Sequence, residues 1–329
     1  MKIITASATI IEDELAKLTL PERIERCGRI CYKSEDKIKP GSAEPFCEKV
    51  ITRGHNSVLE MSTVSMLVKG DQETMSSFLG LFLLAEPVKF LKVSILSEDA
   101  LLITGSVRTF RDLYHDKQAF ELSAIARGLY RKINFMDGHP IFRKRSQPLK
   151  TWVNLEAIAI LDESDWESML ASDPLMYSKH KYVAAKFVVN RAVSHELVRH
   201  RDCSFLQESQ RYVKTNDMEF IRPVFFGDES RYRLEWERSM SSAASDYSDN
   251  ILRGQCPQEA RLVLPNSTKT ELIAYTNLDN WRHIFGQRDS KAADPSMREV
   301  MAPLHEEFRK RWPDVFGESK EGKQEGSHE

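Results

Sequence analysis

Apolar positions set the first expectations. Ile3, Ile4 and Ala6 stand ahead of Ile10 and Ile11, which predicts a strand over residues 1–12. From Pro21 to Cys31 the spacing lengthens: Ile24, Cys27, Ile30 and Cys31 recur at helical intervals behind a proline suited to a first turn. The polar stretch Lys33 to Pro45, with Pro40-Gly41, predicts a loop, and Phe46 to Thr52 a short helix that Gly54 ends. Met61 to Lys69 alternates, with Val64, Met66 and Val68 on one side, as a strand does. Apolar helix is expected within 71–95, a strand turning into a helix over 101–112, and a further helix from Phe120 to Phe135.

Gly138 to Pro148 is basic and turn-rich, an expected exposed loop, and Leu155 to Leu161 predicts a short buried element. The stretch of about 71–180 reads as an elaboration inside one fold. Tyr182 to Val189 predicts a strand and Asn190 to Arg201 a helix, with Arg191, His195 and Arg199 as a polar stripe. Phe220 to Phe226 reads as extended, Leu234 to Leu252 as a long polar helix whose serines and alanines face out, and Pro257 to Ala260 as a short one. Thr268-Lys269-Thr270-Glu271 fits a capping box, which predicts a helix running through Phe285 with Asn277, Trp281, Ile284 and Arg288 on one stripe. Val300, Met301, Leu304, Phe308 and Trp312 mark a last amphipathic helix.

These elements make the expected fold class α+β: a mixed or antiparallel sheet packed with helices. One sheet is expected to carry the 1–12, 61–69, 101–105 and 182–189 strands. A single domain is expected over 1–316, followed by a disordered polar tail at 317–329.

Composition narrows the function classes. The chain has 329 residues, 41% hydrophobic and 29% charged, as expected of a soluble globular protein with a sizeable core. A formal net charge of −2 leaves no excess of cations for a nucleic-acid backbone. No run of eighteen apolar residues predicts a membrane span, and the N-terminus lacks the pattern of a signal peptide. The five cysteines show no Cys-x-x-Cys spacing, so reduced thiols in a cytoplasmic protein are expected, with no metal site.

Against that near-neutral background, Arg199-His200-Arg201-Asp202-Cys203-Ser204-Phe205-Leu206-Gln207-Glu208-Ser209-Gln210-Arg211-Tyr212 concentrates three arginines, a histidine and two serine hydroxyls. Such a cluster suits a small anion, because a guanidinium fork donates two parallel hydrogen bonds to phosphate. Gly54-His55-Asn56-Ser57-Val58-Leu59-Glu60 adds an imidazole, an amide, a hydroxyl and a carboxylate after a helix end. Arg108 and Arg111 share a helix face, for which a solvated or salt-bridged role is favoured over a ligand role. Ser209 has no base in triad-like context, so a phosphate or ribose ligand is favoured over a nucleophile. Cys203 is expected to pack against the preceding helix.

Arg199-His200-Arg201, seven residues and then Ser209, with Arg211-Tyr212 following, resembles the signature of the flavin-dependent thymidylate synthases. Three further segments resemble that family in the same order: Gly54 to Glu60, Ala260-Arg261-Leu262-Val263-Leu264-Pro265, and Asn277 with Trp281 to Arg288. The resemblance implies reductive methylation of dUMP to dTMP, with methylenetetrahydrofolate as carbon donor and NADPH as reductant through FAD. It implies a homotetramer with shared active sites. Arg288 is implied as the catalytic residue. Glu196, Arg199, Gln207, Glu208, Ser209, Gln210, Arg211, Arg261 and Arg288 are implied on the substrate, and His55, Ser57, Arg199, His200, Arg201, Gln207, Asn277 and His283 on the cofactor.

The chain departs from the family pattern at Met61, at Leu206-Gln207 and at Asp294. Two other readings keep the pocket and change the outcome: a related pyrimidine nucleotide modification such as hydroxymethylation, and a non-catalytic flavin- or nucleotide-binding homologue. NADPH dependence and product mass separate the first of these, and loss of Arg288 or Arg211 would mark the second. With no Gly-x-Gly-x-x-Gly after a strand, a Rossmann unit is not expected to hold FAD.

Overall fold

Two strands at the centre of the molecule, Tyr182–Asn190 and Lys269–Asn277, explain most of its packing. The computed structural model describes residues 1–84, 91–115, 155–214, 217–226 and 231–317. Its strands are β1 (Lys2–Ile4), β2 (Ser7–Ile10), β3 (Thr63–Gly70), β4 (Lys92–Ser97), β5 (Ala100–Ser106), β6 (Leu155–Ile160), β7 (Tyr182–Asn190), β8 (Ser204–Gln207), β9 (Glu219–Ile221) and β10 (Lys269–Asn277). The fold is α+β, with antiparallel sheets packed by helices.

β7 and β10 pair antiparallel along their whole length, from Lys269 opposite Asn190 to Asn277 opposite Tyr182. Their period of two sends alternate residues into two different cores. Tyr182, Ala184, Ile273 and Tyr275 join Phe46, Leu59, Met61, Met66 and Phe110 on one side. Val183, Phe187, Leu272 and Ala274 join Trp281, Phe285, Met301 and Phe308 on the other, beneath the helices Leu278–Arg288 and Pro295–Arg311. A strand buried on both faces reads as a nearly continuous apolar run, which is the sequence of β7.

The expected single sheet is instead divided. One sheet has the order β2-β7-β10-β8 and a second the order β4-β5-β3-β6, while β1 pairs parallel with β9 in a separate ribbon. Residues 1–12 therefore form two short strands in different sheets, because the chain passes from β9 to β7 between them. The 61–69 and 101–105 strands pair with each other and not with β7. β4, β5 and β6 come from the 71–180 elaboration, which thus builds a second sheet on β3. β4 lies where helix alone was expected, after the helix Gln72–Leu84. β6 is an edge strand, and Ile160 at its end is 47% exposed.

The largest correction is at Thr268 to Glu271. The Thr268 hydroxyl donates to the Pro265 carbonyl at 2.7 Å, and the Glu271 N–H donates to Glu208 at 3.3 Å, so no capping box forms. The segment runs on as β10, and the helix starts only at Leu278. The helix expected through Arg201 spans Arg191–Leu197, leaving Arg199 to Arg201 in a turn ahead of β8, a strand not expected. After β9 the chain turns at Pro223 to Phe226 rather than staying extended. In the helix Arg231–Leu252, Met240, Ala244 and Tyr247 are buried against Met218 and Phe220, so Ala244 does not face out. The expected helix at Phe120 to Phe135, the loop at Gly138 to Pro148 and the tail beyond Gly317 lie outside the described residues.

Candidate functional site

Arg288 is placed by the helix Leu278–Arg288. Asn277 caps it, its side-chain oxygen accepting from the Asn280 N–H at 2.8 Å while its amide donates to the Lys179 carbonyl at 3.0 Å. Trp281, Ile284 and Phe285 bury one face, and Trp281 Nε1 donates to the Val183 carbonyl at 3.0 Å. The opposite face carries Asn280, His283 and Gln287 along a polar cleft of about 490 Å³, bordered also by Arg199, His200, Arg201, Asp202 and Arg288.

Arg288 ends this helix, where the macrodipole favours a cation. One guanidinium nitrogen donates to Glu196 Oε2 at 2.6 Å and another to the Glu196 carbonyl at 3.1 Å, while Nε donates to His200 Nε2 at 3.0 Å. Burial, then the positive charge of Arg288 and the His283 ring, push His200 down to about 4. His200 is therefore neutral near pH 7. Because its Nε2 accepts from Arg288, its proton sits on Nδ1. His283 meets the His200 ring edge-on at 6.1 Å.

A second group gathers where β8 runs into the next turn. The Gln207 amide donates to the hydroxyls of Ser194 at 2.9 Å and Thr270 at 3.1 Å. Glu208 accepts from Lys269 at 3.3 Å. The Ser209 hydroxyl accepts from the Arg211 N–H at 3.3 Å, with no histidine on it among the described residues. Arg211 Nε donates to Gln258 at 3.1 Å, on the helix Pro257–Ala260 that leads into Arg261. Arg191 is lowered from its ordinary value by burial first and by Arg261 second, with Glu208 opposing. Arg191, Arg261 and Glu208 are thus electrostatic neighbours.

Lys269 also pairs with Glu271 at 2.6 Å and with Glu219 at 3.4 Å. Burial alone would raise Glu271, but hydrogen bonds from Lys186, Lys269 and Lys33 outweigh it and hold the carboxylate at about 2. This ionic network fixes Glu208 from behind.

His55 is not among the residues that line the polar cleft and lies beside Tyr32. Gly54 adopts a left-handed φ of 76° that ends the helix Ala43–Thr52 and throws His55 beside Tyr32, whose hydroxyl meets Nδ1 at 2.6 Å. Tyr212 packs on Tyr32 with ring centroids 5.9 Å apart. Ser57 is exposed on the 3-10 turn Asn56–Met61. Glu60 is buried between Ser204, at 3.1 Å, and Arg108, at 2.5 Å, so Arg108 takes the salt-bridged role that was favoured for it. Arg111 reaches Asn56 at 3.4 Å.

The structure therefore brings Arg199, His200, Arg201, His283, Glu196 and Arg288 to one cleft. It brings Ser209 and Arg211 to a second place with Glu208 and, electrostatically, Arg261. Gln210 lines a small neighbouring cavity of about 40 Å³ with Glu208 and Lys269. Asn277 lies just beyond the end of the first cleft with its amide engaged inside the protein. Among the described residues, no hydrogen bond or ring contact joins His55 or Ser57 to the cleft of Arg199 to Arg201.

Asn280, Gln287 and Arg191 were not expected in the site. The first two follow from the helix face that carries His283, and Arg191 from the stripe it shares with His195. Met61 is fully buried core, Asp294 caps the helix Pro295–Arg311 through Ser296 N–H at 2.7 Å, and Cys203 is buried beside that helix layer, donating to the Tyr275 carbonyl at 3.6 Å. These two departures and Cys203 thus have structural work in this chain.

Residues 173–314, which contain β7 to β10 and the Arg288 helix, match the thymidylate synthase complementing protein family. The match takes in less than half of the chain. The chain is 34% identical over 145 residues to the flavin-dependent thymidylate synthase of Corynebacterium efficiens, covering 40% of this chain and 58% of that protein. To the flavin-dependent thymidylate synthase of Pyrococcus horikoshii it is 37% identical over 126 residues, covering 37% of this chain and 52% of that protein. The chain thus spans little more than half the length of the curated relatives it matches. Among solved structures, the UMP/dUMP methylase PolB from Streptomyces cacaoi bound with 5-Br dUMP is similar with a TM-score of 0.38 and 21% identity, over 46% of this chain and 77% of that one.

No helix among the described residues is long and apolar enough to cross a membrane.

Proposed function

We propose that this chain is a flavin-dependent thymidylate synthase that methylates dUMP reductively to dTMP, taking one carbon from methylenetetrahydrofolate and electrons from NADPH through FAD. The observation that carries the reading is Arg288. It is a fixed cation at a helix end, held by Glu196 and His200 and facing a polar cleft. Arg199, Arg201, His283 and the neutral His200 suit a phosphate-bearing cofactor, since guanidinium forks and imidazole N–H groups donate to anionic oxygens.

FAD, when bound, supplies the hydride chemistry. The protein residues hold and polarise. Ser209, Arg211 and Arg261 bind the dianionic phosphate of dUMP, with Glu196, Arg199, Glu208 and Gln210 completing the substrate set. Gln207 stands between nucleotide and cofactor. Arg288 stabilises negative charge that develops on the pyrimidine as it is activated, in a site whose dipoles are already oriented. His55, Ser57, Arg199, His200, Arg201, Asn277 and His283 are the proposed cofactor set.

His55 and Ser57 are not among the residues that line the arginine cleft of one chain. This supports an active site shared between subunits of a homotetramer, in which one subunit supplies His55 and another the cleft. The setting is cytoplasmic, and the partners are small molecules rather than nucleic acid or membrane.

The test is anaerobic incubation of the purified protein with FAD, NADPH, methylenetetrahydrofolate and dUMP, with the product read by mass. Formation of dTMP only with every component present supports the reading. A product heavier by one oxygen indicates hydroxymethylation. No product, with FAD and dUMP still bound, indicates a binding protein.

A further inference from the structure

Between the helix Ala43–Thr52 and the turn Arg29–Tyr32 lies a second cavity, of about 210 Å³, that no step above uses. Arg29, Lys37, Lys49 and Arg53 line it, with Phe46 and Tyr32 as aromatic walls. The Arg29 guanidinium lies over the Phe46 ring at 4.7 Å and pairs with Glu25 at 2.5 Å. Glu25 is buried and also accepts from the Ser42 hydroxyl at 2.7 Å. Among the described residues, no carboxylate lies within ion-pair distance of Lys37, Lys49 or Arg53.

Of the four cations around this concave, half-aromatic space, Arg29 alone has a carboxylate in ion-pair distance among the described residues. Lys49 and Arg53 are also one helical turn apart, an arrangement of like charges that costs stability unless an anion relieves it. Tyr32 is the link to the rest of the molecule, since it lines this cavity and hydrogen-bonds His55. A ligand seated at His55 thus has a basic pocket beside it.

We propose that this cavity is a subsite for the multiply anionic tail of a co-substrate, a phosphate monoester or a run of carboxylates, whose ring portion reaches His55. Which co-substrate it is rests on the proposed function, and two sources share the chemistry: the 2′-phosphate of NADPH and the glutamate carboxylates of a polyglutamylated folate. The charge argument itself does not depend on that reading.

The experiment uses the full chain loaded with FAD and its Lys49→Glu/Arg53→Glu variant. Both side chains are exposed at the end of a helix, and circular dichroism and the melting temperature check that the fold is kept. Calorimetric titration compares NADPH with NADH, and tetraglutamyl with monoglutamyl methylenetetrahydrofolate. The wild type is expected to bind the more anionic member of one pair at least tenfold more tightly, and the variant to lose that preference while binding dUMP unchanged. Loss within the nucleotide pair assigns the pocket to the 2′-phosphate, and loss within the folate pair assigns it to the glutamate tail. No preference in either wild-type pair, or a preference the variant retains, overturns the proposal. Failure to form dTMP with the preference present overturns the proposed function and leaves the subsite standing.

Discussion

Two arginine–carboxylate pairs in this protein use the same groups for different ends. Arg23 and Glu12 are closed in, with side chains 7% and 8% exposed, whereas Arg288 and Glu196 are 19% and 38% exposed. Arg23 donates to both oxygens of Glu12 at 2.6 and 2.9 Å and to the Met61 carbonyl at 2.7 Å, and its plane lies over the Tyr275 ring. Glu12 in turn accepts from the Ala184 N–H at 2.9 Å. Every polar group is spent on tying the helix Leu20–Gly28 to β7 and β10. Arg288 is held by one carboxylate oxygen, one carbonyl and one imidazole, and its outer edge borders the cleft. A closed pair secures architecture, and a half-open pair leaves a positioned charge for a ligand.

The comparison breaks most directly at the closed pair. Arg23→Ala leaves the Glu12 carboxylate buried and uncompensated, which is expected to cost about 3–5 kcal/mol of stability. Urea denaturation measures this. Arg23→Met with Glu12→Met is expected to recover much of it, because removing both charges removes the desolvation cost as well. A single variant as stable as wild type contradicts the closed reading.

At the open pair the expected loss is in rate. Arg288→Ala is expected to lower dTMP formation roughly 10²- to 10³-fold, the scale for removing one preorganised charge stabiliser, while the melting temperature moves little. Single-turnover product formation at saturating dUMP checks this, since a rise in KM alone would mean that Arg288 only binds. Glu196→Gln is expected to fall between the two pairs, loosening Arg288 without removing its charge.

The contrast between the pairs also shows what the sequence makes legible. The place of Arg288 at the end of a helix was legible because its stripe with Trp281 and Ile284 repeats every three to four residues. β7 was found because a strand buried on both faces has a continuous apolar run. Glu12–Arg23 was not found, since a buried ion pair reads like two ordinary surface charges until the fold closes over them. β10 was misread because Thr268 and Glu271 have the letters of a capping box, yet their hydrogen bonds go to Pro265 and Glu208, and Glu208 is distant in sequence. The division into two sheets was invisible for the same reason: strand partnership is decided by long-range pairing, not by local periodicity.

A buried histidine sharpens the comparison from the neutral side. His180 bridges the second sheet to the turn ahead of β7, its Nδ1 meeting Thr104 at 2.9 Å and its Nε2 meeting Ser94 at 2.8 Å. Burial, helped by Lys92 and Lys179, pushes it down to about 4. The unfolded chain takes up this proton near pH 6.5 and the folded one only near pH 4, so the unfolded state binds more protons between those values. Stability contributed by His180 is present above pH 6.5 and is lost as pH falls toward 4, by roughly 3–4 kcal/mol at most. His180→Gln is expected to flatten the acid side of the stability profile, while a profile of unchanged slope excludes His180 as its source. His200, lowered for a similar reason, contributes in the same direction.

The smallest expected effect lies at Gln207, in the second group of the site. Its amide donates to the hydroxyls of Ser194 and Thr270. Gln207→Glu replaces a double donor by an acceptor; the Thr270 hydroxyl can rotate to donate to it, whereas the Ser194 hydroxyl already donates to the Arg191 carbonyl at 2.9 Å, so about one hydrogen bond is lost. The stability change is therefore expected to stay within about 1 kcal/mol. The new charge has a separate consequence, because it adds a carboxylate to the group that holds Arg191 and Arg261, the proposed neighbours of the nucleotide phosphate. Affinity for dUMP is expected to fall by a few-fold, more at low salt than at high salt, as screening weakens the repulsion. Calorimetric titration of dUMP at two ionic strengths reads this directly. A loss independent of salt would mean that the amide contacts the nucleotide through hydrogen bonds, and would move Gln207 from the border of the site into the substrate pocket itself.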